Sequence, residues 1–179
     1  MESQSTLQHN MHQLVFEFLE QSLTEAKEGY CNKIQITLLP EGKIKISDDG
    51  RGLPLSEDIY ASKEVLEKIL AGKPITNAEY SQMGDLMHAG LQTVNSLCES
   101  LQILVKRDGK AFRQDYVRGI AQHELYVDKL EGHSGTEIVL KPDSSIFGNE
   151  IFSVEILNDW IEQRLKSEKL KIYVTVNNE

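Results

Sequence analysis

Residues 15–26 read VFEFLEQSLTEA, and this stretch decides how the N-terminal part of the chain folds. Apolar residues recur in it at three- and four-residue spacing and continue on both sides, which predicts a helix over residues 11–28. The residues on the apolar face are Met11, Leu14, Val15, Phe18, Leu19, Leu23 and Ala26. Gly29 follows, and glycine is typical of the residue just past a helix end.

Three polar side chains of this helix, Glu17, Gln21 and Glu25, are spaced four residues apart and form a stripe beside the apolar face. The helical rotation carries Glu25 into the apolar arc, where a carboxylate has to be paired or face a cavity. A carboxylate at a cleft can act as a general base on a water molecule. The stripe is also compatible with an ordinary solvated helix flank.

Residues 48–54 read DDGRGLP and follow a predicted β-hairpin. Alternating apolar residues at 34–38 and 44–46, separated by the turn sequence PEGK at residues 40–43, predict that hairpin. Asp48 ends the second strand and can accept a hydrogen bond from a ligand N–H, while Gly52 allows close approach of the backbone. A plain strand-ending turn would have the same sequence. Arg51 needs a partner, and Glu25 is the candidate.

The remaining sequence predicts further elements around this core. A helix is expected at residues 62–71, a polar loop at 72–90, and a helix beginning near Gly90, whose N-terminus after a glycine-bearing loop is a potential phosphate site. Strands are expected at 102–106, 111–117, 122–127, 136–141 and 171–176, with a helix at 150–166. We therefore predict a two-layer α/β sandwich with helices on one face of a mixed, mostly antiparallel sheet. It forms a single domain over residues 11–179 after a polar tail at 1–10.

Composition excludes several classes of protein. The chain has 179 residues and a net charge of −9, which disfavours direct binding to nucleic acid. Its apolar runs are far shorter than the ~20 residues that span a bilayer, and no signal peptide is visible, so we expect a cytoplasmic protein without membrane contact. Cys31 and Cys98 match no metal spacing and are expected to be reduced thiols.

Taken in order, these motifs resemble the N-terminal ATPase domain of DNA gyrase B and its topoisomerase relatives, in the GHKL ATPase superfamily with its Bergerat fold. The resemblance begins with residues 15–26 and 48–54. It continues through LQTVNSL at 91–97, RDGKAFRQ at 107–114, SGT at 134–136 and KPD at 141–143. It covers residues 12–176 and implies a layered pocket for ATP between the helices and the sheet.

The resemblance also implies a role for individual residues. Glu17 matches the general base that activates the attacking water, and Glu25 matches the acid that pairs with the loop arginine, Arg51. Asp48 matches the aspartate that recognises the adenine amino group, with Thr136 assisting through water. The other positions that match nucleotide-binding residues are Gly52, Pro54 and Arg113 on the adenine side, Arg51 itself, and Gly84 and Gly90 in the phosphate loop.

The sequence departs from the family on the phosphate side. Gln21 stands where the family has an asparagine whose carbonyl binds Mg²⁺, and Mg²⁺ demands near-ideal octahedral geometry. Asp85 and His88 replace two glycines of the phosphate loop, and Ser81 and Gln82 stand near the position of a lid lysine. The chain starts just before the family's first helix and stops where its transducer domain would begin, so the N-terminal arm that clasps a second protomer is expected to be absent.

Three functions are compatible with these observations. The favoured one is a divergent, gyrase B-like domain that binds ATP or another adenine nucleotide weakly, with weak or no hydrolysis. The second is an active ATPase domain of a type II topoisomerase-related protein. The third is a domain that has lost nucleotide binding and contacts a protein partner. The oligomeric state is not indicated by the sequence.

Overall fold

The computed structural model describes residues 4–52 and 90–178, with side chains described from residue 11 and again from residue 94. Four helices, eight strands and one 3₁₀ turn make up this part of the chain. In order they are α1 (Gln4–Lys27), β1 (Lys33–Leu39), the turn Pro40–Gly42, β2 (Lys43–Asp48), α2 (Gly90–Leu97), β3 (Cys98–Arg107), β4 (Lys110–Val117), β5 (Ile120–Ala121), β6 (Tyr126–Lys129), β7 (Gly135–Pro142), α3 (Ser144–Phe147), α4 (Val154–Glu168) and β8 (Tyr173–Asn178).

The first helix is longer at its N-terminus than the sequence predicts. It begins at Gln4, so residues 4–10, which we expected to form a polar tail, continue the helix. No glycine or proline precedes Gly29, and nothing in the sequence stops the helical hydrogen bonding from extending toward the N-terminus. The apolar pattern that set the predicted boundary therefore marks only where burial begins.

The C-terminus of α1 closes as predicted. Gly29 has a φ of +84°, and its N–H donates to the carbonyl of Ala26 at 3.1 Å. The N–H of Tyr30 reaches back to the carbonyl of Glu25 at 2.9 Å. These two bonds form a Schellman motif, which satisfies helix carbonyls that otherwise lack partners. The motif fixes the direction in which the chain leaves the helix for β1.

A single mixed sheet spans the domain in the order β5-β4-β3-β7-β2-β1-β8, with β6 also paired to β4. The β1–β8 pair is parallel, and the other pairs are antiparallel. Both predicted hairpin turns form. Glu41 and Gly42 have positive φ values between β1 and β2, and Asp108 and Gly109 do so between β3 and β4, as the Asp-Gly sequence favours in tight hairpins.

One face of the sheet is buried under the helices. Alternate residues of each central strand point to this face, for example Ile44 and Ile46 in β2 and Ile138 and Leu140 in β7. The helix α1 packs here, and its Phe16 stacks on Trp160 of α4 with ring centroids 4.5 Å apart. The opposite face carries polar pairs such as Lys45 with Glu137 at 3.3 Å. The predicted two-layer α/β sandwich with a mixed, mostly antiparallel sheet is confirmed.

Several predicted boundaries need correction. The helix after Gly90 stops at Leu97 and β3 begins at once with Cys98, because Cys98 and Leu101 supply apolar positions that fit either periodicity. Of the strand expected at 122–127, only residues 126–127 are extended, as the start of β6, and β5 ends before this range at Ala121. The last helix and strand both begin later than predicted, at Val154 and Tyr173. The helix expected at 62–71 and the loop at 72–89 lie outside the described residues.

The two cysteines are in the free form that the sequence predicts. Cys31 and Cys98 are free and buried, and burial together with neighbouring aspartates raises the pKa of each thiol to about 12.

Within the described ranges, no helix is both long and apolar enough to cross a membrane.

His12 links α1 to α4 in the core. It is fully buried, and its Nε2 accepts a hydrogen bond from the backbone N–H of Ser153 at 2.8 Å. Ser153 is the N-cap of α4, and its own side chain accepts from the N–H of Ile156. The imidazole also packs edge-on against Phe152, with ring centroids 5.4 Å apart. His12 therefore satisfies a partly buried donor at the point where α4 starts.

Replacing His12 by leucine fills the space with an apolar side chain but leaves the Ser153 N–H without its acceptor. We expect His12→Leu to lower the free energy of unfolding by about 1–3 kcal/mol in urea denaturation. The control is His133→Leu, at an exposed position, which should change stability by less than about 0.5 kcal/mol. Equal stability of the two variants would contradict the structural role assigned to His12.

Candidate functional site

Asp48 is the last residue of β2, an interior strand of the sheet, and it lies next to α1. Its Oδ1 accepts from the backbone N–H groups of Gly50 at 2.9 Å and Thr136 at 3.3 Å. Its Oδ2 accepts from the hydroxyl of Ser22 on α1 at 2.8 Å. A carboxylate has about four lone-pair positions, so among the described residues three are used and one on Oδ2 is left. The carboxylate is thus oriented from three elements and can accept one further N–H.

The electrostatic setting of Asp48 differs from that of its neighbour Asp49. Burial raises the pKa of Asp48, and the negative charge of Glu25 acts in the same direction, against the three hydrogen bonds. Asp49 instead accepts from the N–H groups of Asn32 and Lys33 at 2.8 and 2.9 Å. These bonds outweigh its burial and hold its pKa below the usual range. Asp49 therefore ties β1 to β2, whereas the ionised form of Asp48 is costly in the folded state.

Glu25 and Arg51 form a bidentate pair. The Arg51 Nε lies 3.0 Å from one carboxylate oxygen of Glu25, and a terminal guanidinium nitrogen lies 2.6 Å from the other. The backbone N–H of Arg51 also donates to Glu25 at 2.9 Å. Burial alone would raise the pKa of Glu25, but these bonds outweigh it and lower the pKa. The structure thus brings together the two residues that the sequence suggested as partners.

Two further side chains hold the guanidinium of Arg51. Glu28 accepts from it at 2.6 Å, and the ring of Tyr30 lies beneath it, with the guanidinium carbon 3.7 Å from the ring centroid. An arginine over an aromatic face is stabilised by the ring quadrupole. Neither residue was singled out from the sequence, although both lie at the helix end that Gly29 marked.

Two glycines allow strand β7 and the loop after β2 to approach each other. Gly135 has a φ of +149°, and a Cβ there would lie 2.1 Å from the carbonyl oxygen of Asp48. Gly52 has a φ of +81°, and a Cβ there would lie 2.7 Å from the carbonyl oxygen of Lys106. The guanidinium of Arg107 donates to the Gly52 carbonyl at 3.1 Å. Side chains at these glycines would push the loop away from the sheet and displace Asp48.

Glu17 and Gln21 lie on α1 in the two turns before Glu25, on the same side of the helix. Glu17 is half-buried. Gln21 is only 8 % exposed, and its amide nitrogen has no hydrogen-bond partner among the described residues. Mg²⁺ takes oxygen ligands, and the amide oxygen is the atom of Gln21 that could serve as one. The described residues hold no cluster of three or more His, Cys, Asp or Glu side chains that could bind a metal. The expectation about Mg²⁺ at Gln21 stays a prediction from sequence.

Thr136 and Arg113 lie on different faces of the sheet. Thr136 is on the helix-covered face, and its N–H contacts Asp48. Arg113 is next to the buried Phe112 in β4, so strand alternation points it to the opposite face, where it pairs with Asp115 at 3.2 Å. The structure therefore does not bring Arg113 together with Asp48 and Thr136. The resemblance identified the position of Arg113 in the sequence, but it did not indicate which face of the sheet the side chain would occupy.

The phosphate side is only partly described. Gly90 is the first residue of α2. Pro54 and Gly84, together with the substituted positions Asp85 and His88, lie outside the described residues. Their roles stay predictions from sequence.

Ser22, Gly135 and Arg107 are the contacts that sequence reasoning missed. Ser22 lies directly after Gln21, but nothing in its sequence neighbourhood indicates a partner 26 residues later. Gly135 and Arg107 occur within motifs that carried the resemblance, so their positions at the ends of strands could be predicted from the sequence. Their contacts to the loop after β2 could not.

Comparison with known proteins agrees with this architecture. No protein-family model matches the chain. The DNA gyrase B protein of Borrelia hermsii is 32 % identical over 93 % of this chain and 27 % of its own length. That of Thermotoga maritima is 36 % identical over 90 % of this chain and 26 % of its own length. The chain therefore spans about a quarter of the length of these curated relatives.

Two solved structures have the same fold. One is the 43K ATPase domain of Thermus thermophilus gyrase B in complex with an aminocoumarin, with a TM-score of 0.71, 28 % identity, and coverage of 94 % of this chain and 43 % of that one. The other is the topoisomerase IV ATP-binding domain of Francisella tularensis in complex with a small-molecule inhibitor, with a TM-score of 0.75, 24 % identity, and coverage of 94 % and 81 %.

The fold is that of a GHKL-type ATPase domain. Within that class, the chain resembles the ATPase domain of DNA gyrase B over about nine-tenths of its length, as its motifs predict.

The Glu25–Arg51 pair offers a direct stability test. Arg51→Ala leaves a buried carboxylate without its cation, so we expect the free energy of unfolding to fall by about 2–4 kcal/mol. The lowered pKa of Glu25 adds a pH signature. Its stabilisation is present above the unfolded pKa of about 4.3 and is lost as pH falls through the folded value, so the wild-type advantage should shrink in acid.

Arg113→Ala is the matched control for this measurement, because Arg113 is half-exposed in its pair with Asp115. Its removal should cost less than about 1 kcal/mol. Urea unfolding of both variants at several pH values compares them. A loss below about 1 kcal/mol for Arg51→Ala would mean that the pair does not hold the loop.

Proposed function

We propose that this domain binds adenine nucleotide and hydrolyses ATP slowly or not at all. The observation that supports it most is the single acceptor position left on the Asp48 carboxylate after Ser22, Gly50 and Thr136 have donated. The exocyclic amino group of adenine supplies one such N–H. A charged acceptor in a buried setting makes a strong hydrogen bond to it, and the bond offsets part of the cost of burying the charge.

Recognition of the base also needs a flat, close-fitting wall. Gly52 and Gly135 bring bare backbone against the loop that carries Asp48. In the proposed complex the adenine ring lies beside this loop with its amino group toward Asp48. Arg51, which the resemblance places among the nucleotide-binding residues, also supports this arrangement through the loop. Its bonds to Glu25 hold the loop in place.

Impaired hydrolysis is proposed from the phosphate side. The residue in the position of the general base, Glu17, is present and half-buried. Turnover also needs groups that stabilise charge on the transferred phosphate, and losing one such donor costs several kcal/mol of transition-state stabilisation. Asp85 places negative charge in the phosphate loop, and Gln21 replaces the metal-binding asparagine. Together they leave the base without the electrostatic support that the reaction requires.

Calorimetric titration tests the proposal. ATP, ADP and adenosine are each titrated with and without Mg²⁺. We expect adenosine to bind, the phosphorylated ligands to gain at most roughly tenfold in affinity, and Mg²⁺ to change little. A large Mg²⁺-dependent preference for ATP, with turnover abolished by Glu17→Gln, would instead establish the active-ATPase alternative. No binding of any of the three would leave the protein-interaction alternative.

Asp48→Asn separates recognition from stability. Asparagine can keep the bonds from Gly50 and Thr136 and can donate to Ser22, but it removes the charged acceptor. We expect adenosine affinity to fall about tenfold or more. Because the folded pKa of Asp48 is raised, its ionisation destabilises the fold as pH rises from about 4 through that value. The unliganded variant should therefore be at least as stable as wild type at about pH 7.

The neighbouring Asp49→Asn is the control, with the opposite expected pattern. Asp49 has a lowered pKa, so its charge stabilises the fold above the unfolded value. Its replacement should cost about 1 kcal/mol at neutral pH and leave adenosine affinity unchanged. Unchanged affinity in Asp48→Asn would show that the adenine assignment is wrong.

A further inference from the structure

Strand β8 forms an unguarded edge of the sheet. It is the last strand in the sheet order, and among the described residues it pairs only with β1. Its sequence, YVTVNN over Tyr173–Asn178, contains no charged residue and no proline. Edge strands usually carry such residues, because an open row of backbone N–H and C=O groups recruits another strand. At the opposite edge β5 has only two residues, and β6 ends in Asp128 and Lys129. Strand β8 is therefore the edge that is open to further pairing.

The backbone groups that β8 leaves free can be assigned. The N–H of Tyr173 donates to the carbonyl of Asn32 at 2.8 Å, so it points toward β1. Successive residues of a strand direct their backbone groups to opposite sides. The residues that face away from β1 are therefore Val174, Val176 and Asn178. Among the described residues, no group bonds to the backbone N–H and C=O of these three.

The side chains of β8 leave apolar surface at the same edge. Val174 and Val176 are in register with Ile34 and Ile36 of β1, on the helix-covered face of the sheet. Both valines pack against the core but are only half-buried. A further strand with apolar residues at the matching positions would cover them and would satisfy the free backbone groups at the same time.

The strand that fits this edge is β8 of a second copy. If two copies pair antiparallel about a two-fold axis at Thr175, Val174 of one lies opposite Val176 of the other. Both residues face outward, so they exchange backbone hydrogen bonds, and their side chains stay on the helix-covered face. The nearest charges, Lys169 and Lys171, then lie at opposite ends of the pair. Parallel pairing would instead set them beside their own counterparts.

We propose that β8 is a self-association surface, through which two copies of this chain join their sheets by antiparallel pairing centred on Thr175. The arrangement is closed, because each copy contributes the same strand. One strand pair is a small interface, so a reversible equilibrium between monomer and dimer follows. The inference is independent of nucleotide binding, since β1 separates β8 from the strand that carries Asp48.

Sedimentation of the 179-residue chain over a range of concentrations tests the association. We expect the mean mass of the wild type to rise from that of a monomer toward twice that value. Val176→Pro removes an outward N–H without touching a bond to β1, a position at which an edge strand tolerates proline. It should stay monomeric at every concentration. The matched control, Val176→Thr, keeps the N–H and the branched side chain and should still associate.

A disulfide tests the register and serves also if Val176→Pro does not fold. At the two-fold axis Thr175 faces its own counterpart in a non-hydrogen-bonded pair, with Cα atoms about 4.5 Å apart, a separation that a disulfide can bridge. Thr175→Cys should therefore yield a cross-linked dimer on mild oxidation. Asn177→Cys is the control on the same face, because its counterpart lies four residues along the strand, roughly 13 Å away. The native Cys31 and Cys98 are buried.

Three results would overturn the inference. A wild-type chain that stays monomeric at the highest concentration would show that β8 does not recruit a second copy. A dimer that persists in Val176→Pro would show that another surface is used. Equal cross-linking of Thr175→Cys and Asn177→Cys would show that the strands do not meet at Thr175.

Discussion

The site depends on the carboxylate of Glu25, which joins the end of α1 to the loop after β2. It accepts from the backbone N–H of Arg51 and from two nitrogens of its guanidinium. The main chain of Glu25 is engaged as well, since its carbonyl closes the Schellman motif with Tyr30. One residue therefore fixes both the helix end and the loop conformation. Asp48 directly precedes that loop, and the N–H of Gly50 in the loop is one of the three donors that orient its carboxylate.

Asp48 and Asp49 show how adjacent acids divide structural and binding work. Asp49 accepts two backbone N–H groups at the start of β1, and its charge favours the folded state. Asp48 is more deeply placed and also feels Glu25, so its charge opposes folding. A strand that simply ended at this point would not need a carboxylate held by three hydrogen bonds. The cost is consistent with a group kept ionised for a donor that arrives from outside the chain.

The sequence was informative where one local rule acts alone. The helix end at Gly29, both hairpin turns and the candidate pairing of Glu25 with Arg51 follow from glycine positions, turn residues and the need of a buried charge for a partner. The α2–β3 boundary was not predictable, because its apolar residues fit a helix and a strand equally well. The N-terminal start of α1 was missed because helix propensity continues where apolar periodicity stops. The contact of Ser22 and the facing of Arg113 depend on which elements become neighbours, and only the assembled sheet determines that.

Two side chains at this site have a hydrogen-bonding position that the described residues do not use. Asp48 has one acceptor position left, and Gln21, beside Ser22 on the facing helix, has a donor left among the described residues. A fold that served only its own stability would have lost little by replacing Gln21 with an apolar side chain, since an unpaired buried amide is costly. The open acceptor position on Asp48 complements a ligand that offers an N–H, as the exocyclic amino group of adenine does in the proposed complex.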